Sequence, residues 1–261
     1  MVHEPPGNRG MLALSGDAAS KDNLSARRSS LAWASSAAIM TKIVSFSLWG
    51  DKLIYNIGFI RNYELCKVVY PDWCVFVYYN NSIGNETLRF IRQKRIRAFN
   101  MTGSVIPGLF WRFLANDAPG AEHIIFRDCD SRVSLREADA VGEWLSSGKT
   151  LHVMRDHPYH ETPFGCPGLG MLGGMWGVKG GAVKMAPMIY RFLRYNEPKW
   201  GSDQSFIYEI YERFGGDMLV HDEFFCGKVF RIKRTDRHFV GERIDEHENR
   251  VGDDYLLIPG D

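Results

Sequence analysis

A chain of 261 residues is long enough for one well-filled α/β domain or two small ones, and a formal net charge of +1 gives no general field that would gather a polyanion, so nucleic acid is not an expected partner. Five cysteines, Cys66, Cys74, Cys129, Cys166 and Cys226, are scattered without a CxxC pair, which argues against a zinc knuckle and for reduced thiols in a cytoplasmic protein. No apolar run reaches the about 18–20 residues of a membrane-spanning helix; the nearest, Leu169 to Met188, is interrupted by Lys179 and Lys184, so no transmembrane segment is expected.

Residues 1–40 are rich in Ala, Ser and Gly and lack sustained periodicity, so they read as a disordered extension that cannot bury enough apolar surface to offset chain ordering. From Lys42 the pattern changes. "KIVSFSLWG" reads as a buried strand, "NIGFIRNYELCKVVYPDW" as a helix closed by a Pro-containing turn, and "CVFVYY" as a second strand. Leu88 and Ile91 mark a short helix, "RIRAFN" a third strand and "GLFWRFLAND" another helix before the strand "HIIF". Strands alternating with helices at short intervals predict an α/β fold in which a mainly parallel central sheet is flanked by helices, one compact domain over residues 41–261. Ligands of such sheets gather at the carboxyl ends of the strands.

At such an end stand Asp128 and Asp130, followed closely by a helix whose start is marked by Ser134 and Glu137 at capping-box spacing and whose exit is Gly148. Two carboxylates projecting from one strand tip repel unless a proton or a cation lies between them. Mg²⁺ or Mn²⁺ would resolve the repulsion, since either takes one or two protein carboxylates and leaves its other positions to water and phosphate oxygens. By itself a DxD is also compatible with a solvated loop.

The wider context is more specific. "SFSLWGD", "YPDW", "RFLA", "RDxDSR", "MRDHPYH" and "GGMWG" stand in that order over roughly residues 45–177. With these segments the chain resembles the GT-A superfamily of nucleotide-sugar-dependent glycosyltransferases, and more narrowly the glycosyltransferases of bacteria and large algal viruses that carry them. The resemblance implies a Rossmann-like nucleotide-binding half, a nucleoside-diphosphate-sugar donor (UDP-linked), a glycan or other hydroxyl acceptor, and Mn²⁺ or Mg²⁺ as cofactor. It implies that Asp130 binds the metal directly and Asp128 binds it or the donor, with His221 as a third ligand.

Further candidates follow the same resemblance. Ser47, Trp49 and Tyr55 would line the nucleotide pocket; Arg112 would reach a donor phosphate or brace Asp128; Arg132, Arg155 and Asp156 would meet donor phosphates or the sugar; Gly173, Gly174 and Trp176 would floor the sugar and acceptor site. Either Ser202 or Asp203 reads as the cap of a helix, and Asp203 would take the acceptor's proton in an inverting transfer. His160 reads as a structural hydrogen-bonding residue, because Pro158 works against the helical geometry that a His157/His160 metal pair would need. Two alternatives remain: a DxD phosphatase of the haloacid dehalogenase type, which wants its pair after the first strand, and a catalytically inactive GT-A carbohydrate-binding protein.

Overall fold

Six consecutive buried residues, Ile43 to Leu48, make strand β1 (Thr41–Leu48) apolar on both faces, the mark of a strand covered from two sides. The structure, a computed structural model, describes residues 41–160, 170–225 and 227–259. The N-terminal extension expected over residues 1–40, and Cys166 and Cys226, lie outside them. Met40–Asp261 form one compact unit.

Among the described residues seven strands make one sheet in the order β3-β2-β1-β4-β6-β5-β7. β2 (Cys74–Tyr79) and β4 (Ala121–Arg127) flank β1 in parallel, and β3 (Arg97–Asn100) runs parallel outside β2. β5 (Leu151–Arg155) and β7 (Met218–Asp222) also pair in parallel. β6 (Trp176–Lys179), between β4 and β5, is antiparallel to both neighbours. The carboxyl ends of β1 and β4 and the start of β6 therefore share one sheet edge. The fold is the expected α/β one, a mainly parallel sheet with helices on both faces.

One face packs α1 (Leu53–Val69), α2 (Asn85–Gln93) and α3 (Leu135–Ser147) over Val44, Phe46, Val77 and Ile125. The other packs a 3₁₀ segment (Gly108–Asp117), α4 (Met185–Tyr195) and α5 (Ser202–Arg213) over Ile43, Phe126 and Trp176. Period-two alternation along β1 turns Ser45 and Ser47 toward this second face. There the Ser45 hydroxyl donates to the carbonyl of Arg112 at 2.7 Å, and the Arg112 N–H donates to Ser47 Oγ at 2.7 Å. "GLFWRFLAND" was expected as an ordinary helix. The 3₁₀ form has a local cause, because β1 diverts Arg112's backbone groups from the i→i−4 ladder.

The start of α3 follows expectation in part. Ser134 accepts the N–H of Glu137 at 3.3 Å and Gly148 closes the helix at φ +72°. The Glu137 carboxylate, however, does not complete the box; it accepts from Arg127 Nε and Tyr70 Oη, both at 2.9 Å. The cap of α5 is a correction: Gly201, at φ +81°, is the N-cap, while Ser202 Oγ accepts from Lys199 N–H at 2.9 Å. Among the described residues no helix is long and apolar enough to cross a membrane.

Candidate active site at the carboxyl edge of the sheet

The loop leaving β4 is held from beneath by one amide. Asn62, fully buried in α1, donates from Nδ2 to the carbonyls of Ser131 (2.7 Å) and Cys129 (3.5 Å) and accepts the N–H of Val133 at Oδ1 (3.0 Å). Burial pushes the Cys129 thiol well above its usual range, with the neighbouring Asp128 and Asp130 adding to it, which works against a reactive thiolate. Arg132 spends its guanidinium on the far side of the loop, donating to Glu248 (3.0 Å), to the Asp245 carbonyl (2.9 Å) and to the Ser131 carbonyl (3.0 Å). Its expected role on a donor phosphate is corrected: it ties the loop to the C-terminal segment.

Above the loop, Arg112 joins two carboxylates. Its Nη1 lies 2.9 Å from Asp128 Oδ1 and its Nη2 lies 2.9 Å from Asp203 Oδ2, while Nε donates to the Gly173 carbonyl at 3.1 Å. Arg112 and Asp203 are buried, with side chains 5% and 8% exposed, whereas Asp128 is 44% exposed and faces out. Gly173 and Gly174 lead into β6. The β4/β6 register pairs Phe126 with Trp176, so two residues further on Gly174 runs past Asp128. A Cβ on Gly174 would lie 2.1 Å from Asp128 Oδ2, and one on Gly173 would lie 2.4 Å from Arg112 Nη2. Only glycine lets this backbone pass so close to the charged groups.

Asp130 sits 16% exposed beside Arg243, whose Nε is 3.2 Å from Oδ2. Burial raises its carboxyl above the usual range, and the Asp128 charge adds to that effect. Asp203 is also raised, first by burial, with Asp128 adding and Arg112 opposing. Burial and then the Asp130 charge push the Tyr55 phenol up, which places Tyr55 in the same electrostatic neighbourhood. The three carboxylates face two guanidinium groups, Arg112 and Arg243, and so retain one net negative charge.

This donor set fits a hard divalent cation that keeps most of its coordination for water and phosphate. The fit rests on Asp128 and Asp130 alone, since among the described residues no three His, Cys, Asp or Glu side chains converge. His221, the expected third ligand, is corrected. It is fully buried on β7, where Nδ1 is 2.9 Å from His152 Nε2 and Nε2 is 2.8 Å from Glu143 Oε2. Both ring nitrogens are used away from the acid pair.

Three more expectations are corrected by burial. Arg155 pairs with Asp222 at 2.7 Å with both side chains fully buried, and Asp156 is fully buried between Arg136 (2.7 Å) and Arg234 (2.5 Å). These groups brace the end of β5 and do not face a donor. Trp176 is fully buried against Phe126, at 4.3 Å between ring centroids, and offers no face to a sugar. Ser47 uses its hydroxyl on Arg112, so its part is to set that residue. Trp49 is 40% exposed at the rim, packed edge-on to Trp111 and over Gly108. His160 is structural as expected, its Nδ1 accepting the Asp156 N–H at 2.9 Å.

Two roles were missed from sequence: that of Arg243 beside Asp130, and that of Asn62, a weaker candidate for the nucleotide pocket that instead anchors the loop. Arg243 lies in a polar stretch with no periodic signal. Asn62 carried a readable one: an asparagine in the middle of an apolar helix, where its side chain competes with the helical backbone unless it has another task.

No protein-family model and no curated protein matches the chain. Among solved structures it is similar to a glycosyltransferase involved in the glycosylation of the major capsid of PBCV-1, with 19% identity over 70% of this chain and 81% of that one and a TM-score of 0.40. It is also similar to glucosyl-3-phosphoglycerate synthase from Mycobacterium tuberculosis in complex with Mn²⁺, UDP and phosphoglyceric acid, at 14% identity, 76% and 73% coverage and a TM-score of 0.44. A third is 4-diphosphocytidyl-2C-methyl-D-erythritol synthase from Anaerococcus prevotii, at 10% identity, 72% and 88% coverage and a TM-score of 0.44. At such identities and scores the likeness is one of overall shape, and the chemistry must come from the site's own residues.

Proposed function

We propose that the chain is a glycosyltransferase that moves a sugar from a nucleoside diphosphate, UDP being the expected one, to a hydroxyl of a glycan or other acceptor, with inversion. One observation carries the reading: Arg112 lies between an outward-facing carboxylate, Asp128, and a buried one, Asp203, at the carboxyl edge of the sheet. Asp128 and Asp130 would hold Mn²⁺ or Mg²⁺, which would supply a Lewis acid for the departing diphosphate.

The chain's own residues then divide the work. Arg112 offers a guanidinium fork to the negative charge that develops as the anomeric C–O bond breaks. Asp203 accepts the acceptor's hydroxyl proton as that oxygen bonds to the anomeric carbon. Burial makes its carboxylate more basic than an exposed aspartate, which suits it to this step. Gly173 and Gly174 let the backbone before β6 lie against the sugar. Trp49 and Tyr55 border the side from which a nucleotide base would enter. The phosphatase alternative calls for an aspartate pair after the first strand; here the pair follows β4.

The test is a thermal shift with UDP, GDP and a phosphate monoester, each with Mn²⁺ or EDTA, followed by turnover of a nucleotide-sugar panel. A Mn²⁺-dependent rise with one nucleoside diphosphate is expected. Asp203→Asn should retain that rise and lose transfer. A rise with the monoester alone, or wild-type transfer by Asp203→Asn, overturns the reading.

A further inference from the structure

A cavity of about 570 Å³ opens at the N-terminal end of α3, on the far side of the Asp130–Arg132 loop from Arg112. None of Arg112, Asp128, Asp203, Gly173 or Gly174 lines it, and it meets the loop only through Arg132. We propose that it is a second ligand site, for a small organic oxyanion: an apolar body carrying a phosphate, sulfate or carboxylate. The inference rests on this cavity alone and stands whether or not the transfer reading holds.

The volume is within the range that encloses small-molecule ligands. Its walls have two characters. Leu135 and Ile232, large apolar side chains left 64% and 40% exposed, stand with Phe239 and Ile244 as surface for an apolar body. The other wall is cationic. Around it five cations, Arg132, Arg136, Lys233, Arg234 and Arg250, meet four carboxylates, Asp156, Glu223, Glu242 and Glu248.

The surplus positive charge has an address. Asp156 is shared between two guanidinium groups, accepting Arg136 Nε and Nη2 at 2.8 and 2.7 Å and Arg234 Nη2 at 2.5 Å. Arg234 Nε is buried and has no hydrogen-bond partner among the described residues, although the guanidinium lies over the Phe224 ring at 5.1 Å. Lys233, exposed beside it, makes no salt bridge among the described residues. The first turn of α3 completes the wall: Ser134 caps only the Glu137 N–H, and the leading amides of a helix favour an anion in front of them. Three separate sources of positive potential thus converge on one hollow that also has an apolar side.

The experiment is calorimetric titration of the full chain with phenyl phosphate, inorganic phosphate and phenol. Phenyl phosphate should saturate one site and bind about tenfold more tightly than inorganic phosphate, because both walls contribute, while phenol gives no heat. Lys233→Glu, a change at an exposed position that holds no other residue, should weaken phenyl phosphate about tenfold and leave the melting temperature of the free protein unchanged. Asp128→Asn should leave phenyl phosphate binding intact. Absence of saturable binding, equal binding by Lys233→Glu, or loss of binding in Asp128→Asn would overturn the proposal.

Discussion

Arg112 and Asp203, 91 residues apart in the chain, meet in a 2.9 Å ion pair with both side chains buried, and the same guanidinium reaches Asp128 on the open side. The pair fastens the 3₁₀ segment beneath β1 to the first turn of α5. It is therefore both a structural tie and the centre of the proposed chemistry.

Removing Arg112 should be costly. Arg112→Ala leaves Asp203 buried without its counter-charge, and breaking one partner of a buried pair costs about 3–5 kcal/mol. Arg112→Lys retains the charge and loses the fork, so it should recover part of the stability and little of the transfer rate. Urea unfolding separates the two variants. Wild-type stability of Arg112→Ala would show that the tie contributes nothing.

Gly174→Ala should act on the site more than on the fold. The new Cβ would meet Asp128 Oδ2 at 2.1 Å, on a side chain that is partly exposed and can swing away, and the Asp128 backbone N at 3.0 Å, which must yield slightly. The expected result is a folded protein whose Mn²⁺-dependent UDP affinity falls about 10–100-fold, the usual effect of misplacing a metal ligand through its neighbour. Calorimetry with and without Mn²⁺ is the measurement, and unchanged affinity would count against Asp128 as a ligand.

The raised Asp130 carboxyl sets a pH dependence. Folded protein holds this proton longer than the unfolded chain, so the stability it confers is full below the ordinary aspartate value, about pH 4, and is lost as pH rises through the folded value. Asp130→Asn stays neutral throughout and gives up only a pairing with the largely exposed Arg243. In EDTA the variant should melt above wild type at pH 7, with the gap closing toward pH 4. With Mn²⁺ and UDP the order should reverse. A variant that melts below wild type at pH 7 in EDTA would contradict the assignment.

Trp176→Ala should destabilise the whole protein by about 3–5 kcal/mol, the cost of emptying a large buried aromatic site. Trp176→Phe should recover most of that. In neither variant should acceptor KM change selectively at temperatures where the protein is folded. Denaturant curves beside steady-state kinetics decide it.

The strands were legible where apolar runs were unbroken: "CVFVYY" is β2 to the residue, and "HIIF" lies within β4. β6 was not, because a run of glycines reads as loop; Gly177 pairs in the strand and is glycine there because any Cβ would press on Trp144 and the Ile124 carbonyl. α4 escaped notice within a stretch read only for its hydropathy. In the site, the acid pair was legible from its position after a strand, and Arg112 and Asp203 were named separately without sign of their contact.

Arg155, Asp156 and His221 misled for a common reason. Polar residues at a strand end look alike whether they face a cleft or a buried ionic network. Arg155 and His221 find their partners in Asp222 on β7 and in His152 and Glu143, while for Asp156 the C-terminal segment decides, bringing Arg234 and the N–H of Val240 (2.9 Å) onto it. That segment has no periodic pattern, so its partners could not be assigned from spacing.

The single amide of Asn62 both gives to the loop and receives from it. A carboxylate of the same length could only receive and an ammonium could only give, while leucine could do neither; glutamine would overreach by a methylene. Descendants of this chain that preserve the shape of the acid-bearing turn should therefore be frozen at this helical position while the cleft around it drifts, and a lineage that has replaced the residue should have rebuilt the turn as well.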